Sequence, residues 1–347
     1  MTSVTCPLCL TPLEGWDSLD RWHWDVNRQT YTKLKIPAGI TGPQRINIER
    51  GSVIRCPNSY GFEPDVHYLP VDYGRFGPPV VLGFTGIAGA GKSQLLAAMV
   101  GEIERGGLRE YGINTRPIDR SLHANFLEEK VRPLLSDGKV LPPTPPGITG
   151  FADAFLITTT SGPNRVITLF DVAGGDLTRM VHAKKYLDIA DGLFFIVDPT
   201  QIESRGVGDI TFNNVLDLLG DADRLPAKVS AAIVLSKADT VRFEDPVARW
   251  LRSGDSTVLD AAQFVRESED VYAFLYGKEA EAWCRPYRDC ARATFHVVSS
   301  TGGSSLREGT LGTYQQAIAP RRVLRPLVAM LAMTGVLTGP VAETVGI

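Results

Sequence analysis

The run Gly86-Ile87-Ala88-Gly89-Ala90-Gly91-Lys92-Ser93 has the spacing G-x-x-x-x-G-K-S, and the chemistry of that pattern is the holding of phosphate. Gly86, Gly89 and Gly91 let backbone N–H groups, that of Ala90 included, converge on an anion. A helix beginning at Lys92, Ser93 and Gln94 directs its dipole at the same point. Lys92 would neutralise phosphate charge and the Ser93 hydroxyl would ligate Mg²⁺. A second element is the apolar stretch Val166–Phe170, ending in Asp171-Val172-Ala173-Gly174. There Asp171 would hold Mg²⁺ through water and the Gly174 N–H would meet a γ-phosphate, although D-x-x-G alone is also a common turn. The third element is Ser236-Lys237-Ala238-Asp239, after the apolar run Ala231–Leu235. A carboxylate at Asp239 accepts both N1–H and N2–H of guanine, donors that adenine lacks, while the Lys237 stem covers the base. Ser299 and Ser300, after Val297-Val298, would supply a backbone N–H to the guanine O6.

These residues need strands that end beside one another. Candidate strands are Val80–Thr85, Ala154–Thr160, Val166–Phe170, Leu193–Val197, Ala231–Leu235 and Phe295–Val298. Most are continuous apolar runs, the mark of strands covered on both faces. Between them lie the helical patterns Ser93–Glu104, Leu122–Leu135, Leu177–Ile189, Asn213–Leu219, Ala261–Tyr276, Glu279–Cys290 and Tyr314–Met330. The expectation is an α/β fold, a mostly parallel sheet with helices on both faces. Ser161-Gly162-Pro163-Asn164 separates two strands as a turn, which predicts one antiparallel hairpin. The proline-rich stretch Lys139–Gly150 reads as extended.

The order GIAGAGKS, DVAG, SKAD and VSS resembles the boxes of the Ras-like, translation-factor class of P-loop GTPases, over roughly residues 80–330. The resemblance implies GTP or GDP and Mg²⁺ as ligands and GTP hydrolysis as the activity. It also implies a switch threonine shortly before the hairpin, at Thr149 or alternatively Thr144, that ligates Mg²⁺ only in the triphosphate state. Three departures stand out. Ser236 replaces the usual Asn, so a tie between that loop and the phosphate loop should weaken. Gly175 stands where many members place a water-orienting Gln; Asp176 is the nearest substitute, or else a helix N-cap. The third is a long insertion, residues 106–150, which carries Arg116, Arg120 and Arg132, either an internal arginine finger or solvated charges. A second insertion spans residues 240–292.

The first 77 residues read as a separate β-rich module of short strands and turns with equal numbers of acidic and basic residues. Cys6-Pro7-Leu8-Cys9 looks like the first knuckle of a zinc ribbon, and Cys56-Pro57-Asn58-Ser59 like a second that has lost a cysteine. His67 is the best fourth ligand and His23 a poorer one; the alternative is a ribbon without metal. Trp16, Trp22 and Trp24 are expected to form the module's core, and Cys284 and Cys290 to be structural. Residues 78–335 would then be the nucleotide domain and 336–347 a tail. A ribbon-like module ahead of such a domain resembles the bacterial double-GTPase proteins of conflict systems, which implies a second GTPase and effector proteins as partners.

Composition narrows the classes further. With 36 basic against 39 acidic residues and a net charge of −3, a broad nucleic-acid footprint is not expected. Hydrophobic content of 44% suits a folded protein, and five cysteines are too few to staple 347 residues. Acidic residues interrupt the first thirty positions, and Arg325 and Pro326 break the apolar stretch Val323–Val341, so neither a signal peptide nor a membrane span is expected. The cytoplasm is the expected compartment. Two functions follow: a GTP-hydrolysing switch, slow without a partner, or a nucleotide-dependent scaffold with negligible turnover.

Overall fold

The computed structural model describes residues 3–57, 66–143, 149–160, 162–172, 181–202, 207–221, 228–253, 258–308 and 311–347. The N-terminal part contains a hairpin of β1 (Val4–Thr5) and β2 (Pro12–Leu13). It also holds a four-stranded sheet, in the order β4-β3-β5-β6, of β3 (Arg21–Asp25), β4 (Thr30–Lys33), β5 (Val53–Arg55) and β6 (Tyr68–Pro70). Short strands and turns are what its sequence predicts. Its tryptophans behave differently from expectation. Trp16 is buried and bonds the Val71 carbonyl at 3.3 Å, but Trp24 is 51% exposed against Tyr31 and Trp22 is half-buried. Only the start of β3 is covered: Arg21 is buried, and His23 and Trp24 further along are exposed.

The central sheet comprises β7 (Val80–Thr85), β8 (Ile113–Pro117), β9 (Thr149–Thr159), β10 (Arg165–Val172), β11 (Gly192–Val197), β12 (Ser230–Leu235) and β13 (Arg292–Val297). Its order is β13-β12-β11-β7-β10-β9-β8, with five parallel strands from β13 to β10 and antiparallel pairing of β9 with both β10 and β8. This is a Ras-like P-loop α/β fold with the predicted hairpin and one strand added at the edge. The added strand, β8, comes from the insertion after the helix Lys92–Glu104. It ends at Pro117, and an edge tolerates that missing N–H.

All six residues of β11 and all six of β12 are buried, as the apolar runs Leu193–Val197 and Ala231–Leu235 require. One face of the sheet carries the helices Lys92–Glu104 and Arg325–Met333. The other carries Tyr186, Phe212 and Phe274. The predicted helix Leu122–Leu135 is present as the helical run Arg120–Leu135, with a π turn over Leu127–Val131. Wider i→i+5 bonding there frees the carbonyl that Pro133 would otherwise strike.

One helix is misplaced by the sequence pattern. Tyr314–Met330 is not a helix: Leu311–Tyr314 is the strand β15, paired with β14 (Ser305–Glu308), and the helix runs Arg325–Met333. Pro320 interrupts the pattern and Pro326 occupies the first turn, the position that tolerates it. Among the described residues, no helix is long and apolar enough to cross a membrane.

Candidate functional site

The strand β7 runs into the phosphate loop, and Gly91 (φ 95°) caps the helix Lys92–Glu104. Gly86 has φ 147°, and a Cβ built there would lie 2.7 Å from the Ile196 carbonyl oxygen of β11. Only glycine lets the loop approach that strand so closely. Lys92 is buried, and its Nζ donates to the Gly86 carbonyl at 2.8 Å and the Ile87 carbonyl at 3.0 Å. Burial pulls its pKa down to about 8, with Asp171 acting in the opposite direction. Gln94 is half-buried one position beyond Ser93.

The Ser93 hydroxyl donates to Asp171 Oδ2 at 2.6 Å, across the parallel pair β7/β10. The two oxygens expected to face Mg²⁺ are therefore adjacent. A hydroxyl beside a carboxylate is the hard-oxygen donor set that this cation takes. Thr149 begins β9 opposite Val172, one register step from Asp171, so its backbone stands at the same end of the sheet. Thr144, Gly174, Gly175 and Asp176 lie outside the described residues.

The loop expected to read the base follows β12. Lys237 adopts a left-handed conformation (φ 47°), and its ammonium sits 2.6 Å from Asp198 Oδ2. Asp198, at the end of β11, is a residue that motif reasoning misses. The available signal is a carboxylate closing a strand of six apolar residues. Asp239 Oδ1 accepts the Ser299 hydroxyl at 2.5 Å, and Ser299 Oγ accepts the Gly302 N–H at 2.9 Å. Ser300 is buried beside it.

Ser236 also departs from expectation. Its buried hydroxyl lies 2.6 Å from the Ala90 carbonyl and 3.0 Å from the Val197 carbonyl. The tie to the phosphate loop is kept, because β12 ends close enough for a short side chain to span the gap. The insertion arginines lie at the sheet edge and beyond it. Arg116 pairs with Asp72 at 2.8 Å and Arg132 with Glu128 at 2.9 Å, while Arg120 is exposed at the start of its helix.

In the N-terminal module Cys6, Cys9, Cys56 and His67 are all buried, with ligand atoms within 4.8 Å of one another. Cys9 Sγ is 3.6 Å from Cys56 Sγ, and Cys6 Sγ is 3.7 Å from His67 Nδ1. A tetrahedral site with Zn–S bonds of about 2.3 Å has S···S edges of about 3.75 Å, so the four groups fit that ion. The knuckle turn is held by Leu10 N–H to Cys6 O at 2.8 Å, and the Cys56 N–H donates to the His67 carbonyl at 2.8 Å. Burial pushes the Cys6 thiol well above its ordinary pKa. His23 is exposed on β3 beside Thr32, not in the cluster.

No protein-family model matches the chain, and no curated protein sequence does. Among solved structures, it is similar to an ADP-ribosylation factor-like GTP-binding protein of Encephalitozoon cuniculi, the small COPII coat GTPase SAR1 in complex with GDP. The identity is 16% and the TM-score 0.30, over 66% of this chain and 72% of that one.

Proposed function

We propose that the chain is a GTP-binding molecular switch that hydrolyses GTP slowly by itself. The observation that supports this best is the convergence at one sheet edge. Lys92 and the Ser93–Asp171 pair stand at the phosphate end, and Ser236 ties their loop to the Asp239–Ser299 base reader. Lys92 and the loop N–H groups hold the β- and γ-phosphates, and the Gly174 N–H adds a donor at the γ-phosphate. Ser93, Asp171 and, in the triphosphate state, Thr149 would hold Mg²⁺, which supplies charge neutralisation across the phosphates. Asp239 selects guanine, Lys237 covers it, and the Ser299–Ser300 backbone meets its O6.

Slow turnover follows from Gly175, which has no side chain to orient water; of the three insertion arginines, Arg116 and Arg132 pair with carboxylates and Arg120 is exposed at the start of its helix. Asp176 is the nearest residue that could take the water-orienting role. Single-turnover hydrolysis by the chain alone is on the order of 10⁻³ per second or below, and a partner supplying an arginine accelerates it about 10³-fold or more. That partner would be a protein, a second GTPase being one candidate. Residues 1–77 act as a zinc-stabilised module held by Cys6, Cys9, Cys56 and His67, with residues 78–335 as the nucleotide domain, in the cytoplasm. Nucleotide carried through purification and identified by chromatography tests the reading. Guanine nucleotides support it, and adenine nucleotides overturn it.

A further inference from the structure

A cavity of about 630 Å³ opens beside Asp239. Among the described residues its lining includes Asp239 and Ser299, but neither Lys237 nor any residue of the phosphate loop. It therefore adjoins the base reader and not the phosphate loop. Three arginines reach it from three separate pieces of chain. Arg242 closes the short 3₁₀ helix Ala238–Val241, Arg252 lies on the helix Val247–Ser253, and the Arg321 backbone bridges to Ser299.

None of the three is in an ion pair among the described residues, and Arg252 spends only its Nε, on the Ala248 carbonyl at 3.0 Å. The single carboxylate in the wall, Asp239, already accepts the Ser299 hydroxyl. Like charges gathered without counter-charge repel one another, so an anion in their midst is favoured. Phe243 stands at the rim, 86% exposed, with the Arg242 guanidinium 5.0 Å over one face of its ring. Leu251 adds an apolar wall. The volume falls within the range of about 300–1,000 Å³ typical of small-molecule sites.

We propose that this cavity binds a small phosphorylated molecule with a flat ring. The phosphate lies among Arg242, Arg252 and Arg321, whose forked donors match its oxygens, and the ring rests on the open face of Phe243. A concave site of this size suits a small ligand better than the flat face of a protein partner. Because Asp239 and Ser299 form part of the wall, an occupant bears on the carboxylate that selects guanine under the reading above. The site itself does not depend on that reading.

The test titrates the full chain, with Mg²⁺ and saturating GDP, with ethenoadenosine monophosphate followed by fluorescence anisotropy. The expected result is saturable binding that persists in Lys92→Ala and is competed by inorganic phosphate. It weakens about tenfold or more in Arg252→Gln and in Arg321→Gln, and ethenoadenosine without phosphate binds weaker by a similar factor. Circular dichroism shows that each variant is folded. Binding seen only when GDP is left out, or lost in Lys92→Ala, would mean that the probe occupies the phosphate loop, and would overturn the proposal. Equal binding by the arginine variants, or no saturable binding at millimolar probe, would also overturn it. Calorimetry with GDP alone reports the other site, so the two readings fail separately.

Discussion

Asp239→Asn is the sharpest test of base selection. Oδ1 of Asp239 is fixed by the Ser299 hydroxyl, which is in turn fixed by the Gly302 N–H. In the variant the amide oxygen keeps the Ser299 bond, and the amide NH₂ takes the place of the second carboxylate oxygen. The guanine amino group then faces a donor. One charge-assisted hydrogen bond is lost and the N1–H bond keeps only an uncharged acceptor, a loss of about 1.5–3 kcal/mol. That corresponds to roughly a 10- to 150-fold rise in Kd for GTP. Xanthosine triphosphate carries a carbonyl where guanine has its amino group, accepts from the new NH₂, and should become the preferred ligand. Titration calorimetry with both nucleotides on both proteins measures the exchange. An Asn variant that still prefers GTP would refute the assignment of Asp239, whatever its absolute affinity.

Other consequences are as direct. Purified protein should contain about one zinc per chain, and a chelator should lower the thermal stability of the module around Trp16; metal content far below stoichiometric would leave a ribbon without metal. His123 Nδ1 lies 2.6 Å from the buried Asp153, and that hydrogen bond raises the His123 pKa against the effect of burial. Its stabilisation is therefore complete below the unfolded value of about 6.5 and is lost as pH rises through the higher folded one. The Tm gap between wild type and His123→Gln should be widest near pH 6 and narrow by about pH 9; a constant gap would remove the charge from the account. Glu267 is fully buried 2.7 Å from Arg322, and although burial alone would raise its pKa, Arg322 and His296 hold it at about 2. Glu267→Gln should cost about 3–5 kcal/mol in urea unfolding, and a loss under about 1 kcal/mol would show that the ion pair is not what stabilises this corner.

The strands that carry the site were readable because β7, β10, β11 and β12 are apolar on both faces, and turn residues mark where they stop. The hairpin of β9 and β10 was readable from Gly162-Pro163-Asn164. The edge strand β8 was not: Ile113–Pro117 alternates buried and exposed residues over too few positions to distinguish it from a loop. The helix expected over Tyr314–Met330 failed because a run of apolar residues has the same look on either side of a proline. At the candidate site, residue type and spacing placed the glycine-rich turn and Asp239 just beyond strand ends, where the structure has them. Ser236 and Asp198 were not readable in this way, since their roles depend on how near β11 and β12 pass to Ala90 and Lys237. Distance between neighbouring strands is not written in either segment alone.

The Ser236–Ala90 contact has a kinetic meaning. Through it, the Lys237–Asp198 pair and the close pass of Gly86 over Ile196, three loops are joined by the chain's own contacts. Little ordering entropy is then lost on binding, and a preformed cradle of this kind slows departure more than it speeds arrival. Under the proposed function, phosphate and base would then let go together. A factor that displaced the segment Ser236–Asp239 from outside would draw the Ala90 carbonyl with it and distort the phosphate loop without touching a phosphate. Residence time, and with it the duration of any signal that a bound state carries, would then depend on the Ser236 hydroxyl at the end of β12 together with the Lys237–Asp198 pair.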